Sequence, residues 1–253
     1  RRMLLTQKAF AEGGRALVYY ASAQGDILTR SKDPEARRSA DEVLSLLTPI
    51  IKAFLTETGF ESANLGMQCF GGHGYISEWG VEQNVRDARI AMLYEGTTGI
   101  QALDLLGRKV LGTRGKALDP VTGFILEFCK HARRRKQIRP YIKQLVRLTR
   151  QWRSLTRKIG FAAMKNRDAV GAASVDYIMF SGYLLLGVAW AASARAAYKR
   201  LEEGTKEEAF YRSKIQTADF YFAKILPRTT SLLQTMLAGP ESLMEIDEEH
   251  FMF

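Results

Sequence analysis

Tyr94-Glu95-Gly96-Thr97-Thr98 sets one acidic side chain between an apolar run, Ile90 to Leu93, and an amphipathic stretch, Ile100 to Val110. A carboxylate so placed is a candidate proton-abstracting base, and the unpaired N–H groups of a helix start can hold a developing oxyanion. Helix starts favour anions, so Glu95 should stay ionised and be a weak base. A ligand's hydrocarbon part closing over it would desolvate the carboxylate and strengthen it as a base. Gly96 leaves the backbone open to close approach. The bland alternative is a first-turn Glu that only complements the helix dipole. Upstream lies a second cluster, Gln68-Cys69-Phe70-Gly71-Gly72-His73-Gly74-Tyr75. N–H groups near its glycines could receive phosphate or pyrophosphate. It is neither a GxGxxG after a strand nor a Walker pattern, and a Gly-Gly helix stop explains it equally well.

The elements that must position these residues read as helices. Nearly every long segment has a 3.6-residue apolar period, and no run alternates convincingly as a strand, so the fold class is all-α. Met3 to Gln24 is a first helix, with Leu4, Phe10, Leu17 and Tyr20 on its apolar face. Asp33-Pro34 opens a second, Glu35 to about Thr58, which Pro49 should kink or divide. Phe60 to Phe70 is short and helical, Gly74 to Gly80 is loop, and Val81 to Ile90 and Thr97 to Leu111 are further helices. Gly112-Thr113-Arg114-Gly115, with Asp119-Pro120, is the best linker signal. Residues 1–112 then form one helical domain, 113–119 a linker and 120–253 a second set of helices: Val121 to Gln137, Arg139 to Asn166, Asp168 to Glu203 and Lys206 to Ile225. The tail from Glu245 is acidic and then aromatic, a composition that could dock on the basic stripe or on a groove.

Composition narrows the function classes. The chain has 253 residues, a net charge of +10 and two cysteines far apart in sequence, Cys69 and Cys129. Two isolated thiols suit a reducing, cytoplasmic setting better than a disulfide framework. His73, His131 and His250 are scattered, and no metal-ligand spacing is present, so no metal site is expected. Arg1-Arg2-Met3-Leu4-Leu5 reads as the middle of a helix and has no signal-peptide pattern, so the chain is expected to be a fragment of something longer. Tyr177 to Ala194 is uncharged for eighteen residues. That is near the lower limit for a membrane span, but its many small residues fit a helix buried on all sides of a bundle. From Phe128 through Arg167 there is no Asp or Glu. Lys130, Arg133, Arg134, Arg135 and Lys136 open that stretch, and Arg139, Lys143, Arg147, Arg150 and Arg157 recur at helical spacing as one basic stripe. Such a stripe is a solvated face or a docking surface for an anionic membrane, a nucleic acid or a ligand's phosphates. Few aromatic residues interleave it, which argues against stacking on single strands.

Taken together, Gln68 to Tyr75, Arg86-Asp87-Ala88-Arg89-Ile90 and Tyr94-Glu95-Gly96-Thr97 resemble, in order and spacing, the C-terminal helical domain of the acyl-CoA dehydrogenase family. The resemblance covers roughly residues 1–112. The remainder, through Leu226-Pro227-Arg228, Ala238-Gly239 and Glu248-Glu249-His250-Phe251, is similar to the additional helical region of a long-form branch that includes 3-methylmercaptopropionyl-CoA dehydrogenases. The resemblance implies a flavoenzyme that oxidises the Cα–Cβ bond of an acyl-CoA thioester, with Glu95 removing the α-proton and the β-hydrogen leaving as hydride to FAD. It implies that the Glu95 N–H helps bind the thioester carbonyl and that Gly96 flanks the substrate. Tyr94 would line the acyl pocket, and Thr97 would touch FAD in its own subunit. Gln68, Gly71 and Gly72 would contact FAD held mainly by the partner subunit of a homodimer or homotetramer. Gly99 stands where the family often has Gln, so the resemblance does not carry over one cofactor hydrogen bond. Arg86 and Asp87 would hold helices together.

The family completes its site with an N-terminal helical domain and a flavin-covering β-domain. The present chain by itself is therefore expected to bind flavin weakly or not at all and to be inactive. Electron-transfer flavoprotein or a similar acceptor would be the redox partner. Two alternatives remain open at this stage. One is a helical interaction module that binds an anionic membrane or nucleic acid through the basic stripe; nucleic acid is the less favoured partner. The other is an acyl-CoA oxidase on the same fold.

Overall fold

A computed structural model describes residues 1–252 and, among them, shows helices and turns with no strand. Helix α1 spans Arg2–Arg30 and buries the stripe Thr6, Ala9, Phe10, Gly13, Gly14 and Leu17. Helix α2 spans Pro34–Cys69. Its first turn is fixed by Asp33, whose carboxylate accepts from the Glu35 N–H at 2.9 Å, with Pro34 at the position that needs no donor. The short link folds α2 back along α1. Arg37 donates to the Leu28 carbonyl at one end, and Gln7 approaches Cys69 at the other.

Pro49 does not divide α2, and Phe60 to Phe70 is not a separate helix. Proline removes the N–H that would pair with the carbonyl four residues back, at Ser45. Lys109 supplies a substitute donor: its ammonium hydrogen-bonds the Ser45 carbonyl. Core packing of Leu46, Leu47, Ile50, Ala53 and Phe54 holds the helix on both sides of the proline. Helix α1 likewise runs past Gln24 to Arg30.

After Cys69 the chain makes two 3-10 turns, Gly71–Tyr75 and Ser77–Trp79, in place of the expected loop. Helix α3 is Val81–Ile90 and α4 is Thr98–Leu103, which widens into a π-helical segment, Asp104–Leu111. Beyond the turn at Gly112 come α5, Asp119–Ala132, and α6, Arg139–Lys165. The expected helix to Gln137 thus ends five residues early. Helix α7 is Asp168–Glu203, and α8 is Glu208–Phe220, followed by a π turn, Tyr221–Ile225. Two short helices, α9 (Thr229–Thr235) and α10 (Glu241–Met244), close the chain. Residues 241–252 are all exposed, so the acidic tail is not docked on the basic stripe.

Helices α2 and α7 are long and apolar enough to cross a bilayer. In this fold the apolar window of α7 is 78% buried, which makes it the central core helix. Two glycines let α7 sit close to its neighbours. Gly182 lies against Phe54 of α2, where an added Cβ would meet the ring at 2.2 Å. On α1, Gly13 makes room for Trp190, whose indole N–H donates to the Ala9 carbonyl at 3.0 Å. Arg228 ties the late chain to the early one. It pairs bidentately with Glu61 at 2.7 Å for both bonds and also donates to the Tyr183 hydroxyl at 3.1 Å. The two sets of helices therefore share one core, into which Leu118 of the expected linker is also packed.

Gly182→Ala is expected to cost about 1–3 kcal/mol by overpacking against Phe54. Gly171→Ala, on the same helix with open space around it, should be neutral or slightly stabilising. Urea unfolding midpoints of the two variants check this; equal effects would refute the close-packing account.

Candidate functional site

The loop between α3 and α4 carries the candidate base, and α2 positions that loop. Met92 is buried and anchors its start, with Arg89 donating to the Met92 sulfur at 3.4 Å and lying over the Phe60 ring. Three bonds fix its far side. The ammonium of half-buried Lys52, on α2, donates to the Gly96 carbonyl. The Thr98 hydroxyl donates to the Glu57 carboxylate of α2 at 2.6 Å. Gln101 donates its amide to the Glu95 carbonyl at 3.3 Å.

Glu95 lies in the left-handed region, at φ 53°, and Gly96 follows at φ 89°. A non-glycine residue in that conformation costs about 1–2 kcal/mol, so the three bonds offset real strain. Gly96 is held to glycine by its left-handed φ, and an added Cβ, 2.6 Å from the Gln101 amide nitrogen, would also displace that side chain. Glu95 therefore sits two residues before the helix N-cap, Thr97, whose hydroxyl accepts from the Ile100 N–H at 3.4 Å. Its side chain is exposed and enters none of the ion pairs among the described residues. The backbone N–H groups of Glu95 and Gly96 make no backbone hydrogen bond among the described residues. A free carboxylate thus stands beside two free N–H donors, the pairing needed to take a proton next to a carbonyl. Tyr94 and Thr97 flank it and are exposed.

The second cluster divides by role. Gly74 is structural: it is buried, and a Cβ there would stand 2.3 Å from the Met67 carbonyl oxygen. Gly71 and Gly72 are exposed, Gly71 at φ 59°, with open space at both Cβ positions. Gln68, on the last turn of α2, is exposed beside them. These three residues present backbone and amide polar groups that an extended cofactor could approach without a steric barrier. Eleven residues of α2 separate Glu57 from Gln68, about 16 Å along the helix axis. The two clusters therefore suit two separate contacts better than one small ligand. Phe70, Tyr75, Trp79, Leu93 and Ile100 are also exposed across this part of the chain, a pattern typical of a surface that another domain or subunit covers.

Sequence reasoning missed Lys52, Glu57 and Gln101. Lys52 had a signal: it is the lone charge in the apolar run Pro49 to Leu55. Asp247, Glu249 and His250 also come together, with ligand atoms within 4.8 Å of one another, although all three are exposed. Away from Glu95, a cleft of about 1130 Å³ lies along α6, lined by Arg133, Arg134, Arg139, Lys143, Arg147 and Arg150 above Ile142 and Val146. The two cysteines differ sharply. Cys69 is exposed, whereas burial pushes the Cys129 thiol up to about 11.

The chain is similar to known proteins along most of its length. The family profile described as "Acyl-CoA dehydrogenase, C-terminal domain" matches residues 1–111, and "Acetyl-CoA dehydrogenase C-terminal like" matches residues 121–247. The broad-specificity linear acyl-CoA dehydrogenase FadE5 of Mycobacterium tuberculosis is 32% identical over 99% of this chain. The 3-methylmercaptopropionyl-CoA dehydrogenase of Ruegeria pomeroyi is 37% identical over 89% of it. The chain spans 43% and 38% of the length of these two relatives. Among solved structures, Caenorhabditis elegans ACDH-11 in complex with C11-CoA matches 86% of the chain and 34% of its own, with a TM-score of 0.65 and 19% identity, a likeness of fold.

Lys52→Met should free the Gly96 carbonyl and loosen the loop. Exchange of the Tyr94 and Gln101 amides, which are bonded to the Ile90 and Thr97 carbonyls on either side of the loop, should rise at least about tenfold while global stability changes by less than about 1.5 kcal/mol. Unchanged exchange would show that Lys52 does not hold the loop. In thiol titration of the folded chain at pH 8, Cys69 should react at once and Cys129 only on unfolding.

Proposed function

The chain belongs to the acyl-CoA dehydrogenase family, and on that premise we propose that it forms the C-terminal helical part of an FAD-dependent enzyme that oxidises the Cα–Cβ bond of an acyl-CoA thioester. The observation that carries the proposal is Glu95: an exposed, unpaired carboxylate on a strained residue, held in place by contacts to Lys52 and Gln101. FAD, when bound, supplies the acceptor for the hydride that leaves the β-carbon.

The chain's own residues do the rest. The Glu95 N–H, free of any backbone partner among the described residues, donates to the thioester carbonyl oxygen. That bond stabilises negative charge as it builds on oxygen and acidifies the α-proton, which the Glu95 carboxylate then takes. A carboxylate in open water is a poor base, so the acyl chain and the covering domains must exclude water from Glu95. Tyr94 borders the acyl chain, and Gly96 lets the substrate approach the backbone. Thr97 holds the helix start through its hydroxyl oxygen, and its hydroxyl proton would be available to FAD. Gln68, Gly71 and Gly72 would meet FAD carried by the partner subunit of a homodimer or homotetramer.

The relatives' names supply the first substrates to test, linear acyl-CoA esters and 3-methylmercaptopropionyl-CoA. Electron-transfer flavoprotein or a like carrier is the proposed acceptor, and two unpaired thiols suit a cytoplasmic enzyme.

Glu95→Gln in the intact enzyme should slow substrate-dependent bleaching of the flavin absorbance by about 100-fold to 10,000-fold while bound FAD stays stoichiometric. A rate within a few-fold of the parent enzyme would remove Glu95 from the chemistry.

A further inference from the structure

Helix α6 is built with two opposed faces. Tyr141, Ile142, Leu145, Leu148, Trp152, Leu155 and Ile159 enter the core. On the other side Arg139, Lys143, Arg147, Arg150 and Arg157 are all exposed, following one line along the helix at steps of four, four, three and seven residues. Lys143, Arg147, Arg150 and Arg157 enter none of the ion pairs among the described residues, whose only α6 member is Arg153, held by Asp119. With no Asp or Glu between positions 128 and 167, the helix supplies no acid of its own to offset them.

Two more observations say what this face fits. First, the line does not end in charge. Phe161 and Met164, four and seven residues beyond Arg157, are 67% and 77% exposed, two large apolar side chains in water at the tip of a basic stripe. Secondly, the basic side chains stand around hollows rather than on a flat wall. The cleft of about 1130 Å³ has Ile142 and Val146 beneath its guanidinium and ammonium groups. A second cleft of about 430 Å³, sharing Arg150, is bordered by Arg114, Lys116, Arg157 and the Arg153–Asp119 pair, a net basic lining. Nucleic acid or an acidic peptide would use the charge but leave the apolar tip bare. A bilayer surface uses both: phosphate headgroups meet the cations, and the exposed Phe and Met enter the acyl boundary.

We propose that the outer face of α6 docks the protein on an anionic phospholipid surface, with Arg139, Lys143, Arg147, Arg150 and Arg157 on the headgroups and Phe161 and Met164 inserted. This contact is separate from Glu95 and stands whether or not that residue is the base.

Co-sedimentation of the intact protein with vesicles tests it, using phosphatidylcholine alone and phosphatidylcholine with about one-third phosphatidylglycerol. Binding should require the anionic lipid and should fall steeply as salt is raised. The triple variant Lys143→Glu, Arg147→Glu, Arg150→Glu, with an unchanged thermal midpoint, should lose at least about tenfold in partitioning. Phe161→Asp should weaken binding several-fold without altering its salt dependence. The proposal is overturned if the parent protein binds both vesicles equally or neither. It is also overturned if charge reversal leaves binding intact, if duplex DNA is bound more tightly than the anionic vesicles, or if the reversal acts only by changing the oligomeric state.

Discussion

The approach of α7 to α1 and α2 is the constraint on which the other elements depend. A core helix flanked by bulky side chains keeps its neighbours at roughly 8–10 Å. At two points here the bulk is all on one side: Phe54 faces Gly182, and Trp190 faces Gly13. The indole N–H that this brings into the core is not left unpaired, because it reaches the Ala9 carbonyl. A buried donor without a partner would cost about 1–3 kcal/mol, so close packing and hydrogen-bond satisfaction are one requirement at this contact. Arg228 repeats the pattern at the far end, with charge in place of the indole. Glu61 accepts two of its bonds and the Tyr183 hydroxyl a third, and the rings of Phe10 and Tyr183 lie within 6 Å of the guanidinium.

What this fixes is the position of α2, and α2 in turn fixes the loop of Glu95. Lys52 and Glu57 are on the same helix that presents Phe54 to Gly182. A shift of α2 against α7 would therefore move the donors and acceptors that hold Gly96 and Thr98. Lys109 closes the circuit from the other direction. Rising from the segment after α4, it satisfies the Ser45 carbonyl that Pro49 leaves without a donor, and it also pairs with Asp104. The proline is thus a place where two elements are joined and not a break in one of them.

That junction also marks where the sequence stopped being legible. Apolar periodicity is local, so it gave the helical class, the buried character of α7 and the glycine stop after Cys69. The continuity of α2 through Pro49 is not local. It rests on core packing and on a lysine sixty residues away, and nothing within a few turns of Pro49 encodes that lysine's contact. The same holds for Glu95. Its residue type and neighbours marked a helix start, but the left-handed backbone two residues upstream is imposed by Lys52 and Gln101 from elsewhere in the fold. The basic stripe was fully legible as a pattern, since its spacing is a property of one helix. That Phe161 and Met164 continue it uncovered became visible only when the rest of the core was in place without them.

The strain at Glu95 argues for a role beyond structure. An Asn or Gly at that position would adopt φ 53° at lower cost, and an ordinary connecting turn has no reason to keep a glutamate there. Nor does the side chain recover the cost through an ion pair: among the described residues it makes none, and it is exposed. The neighbouring bonds act on the backbone carbonyls of residues 95 and 96, leaving the N–H groups and the carboxylate untouched. This arrangement fixes where the carboxylate and the donors stand while keeping both unused, which a reacting group requires and a purely structural one does not.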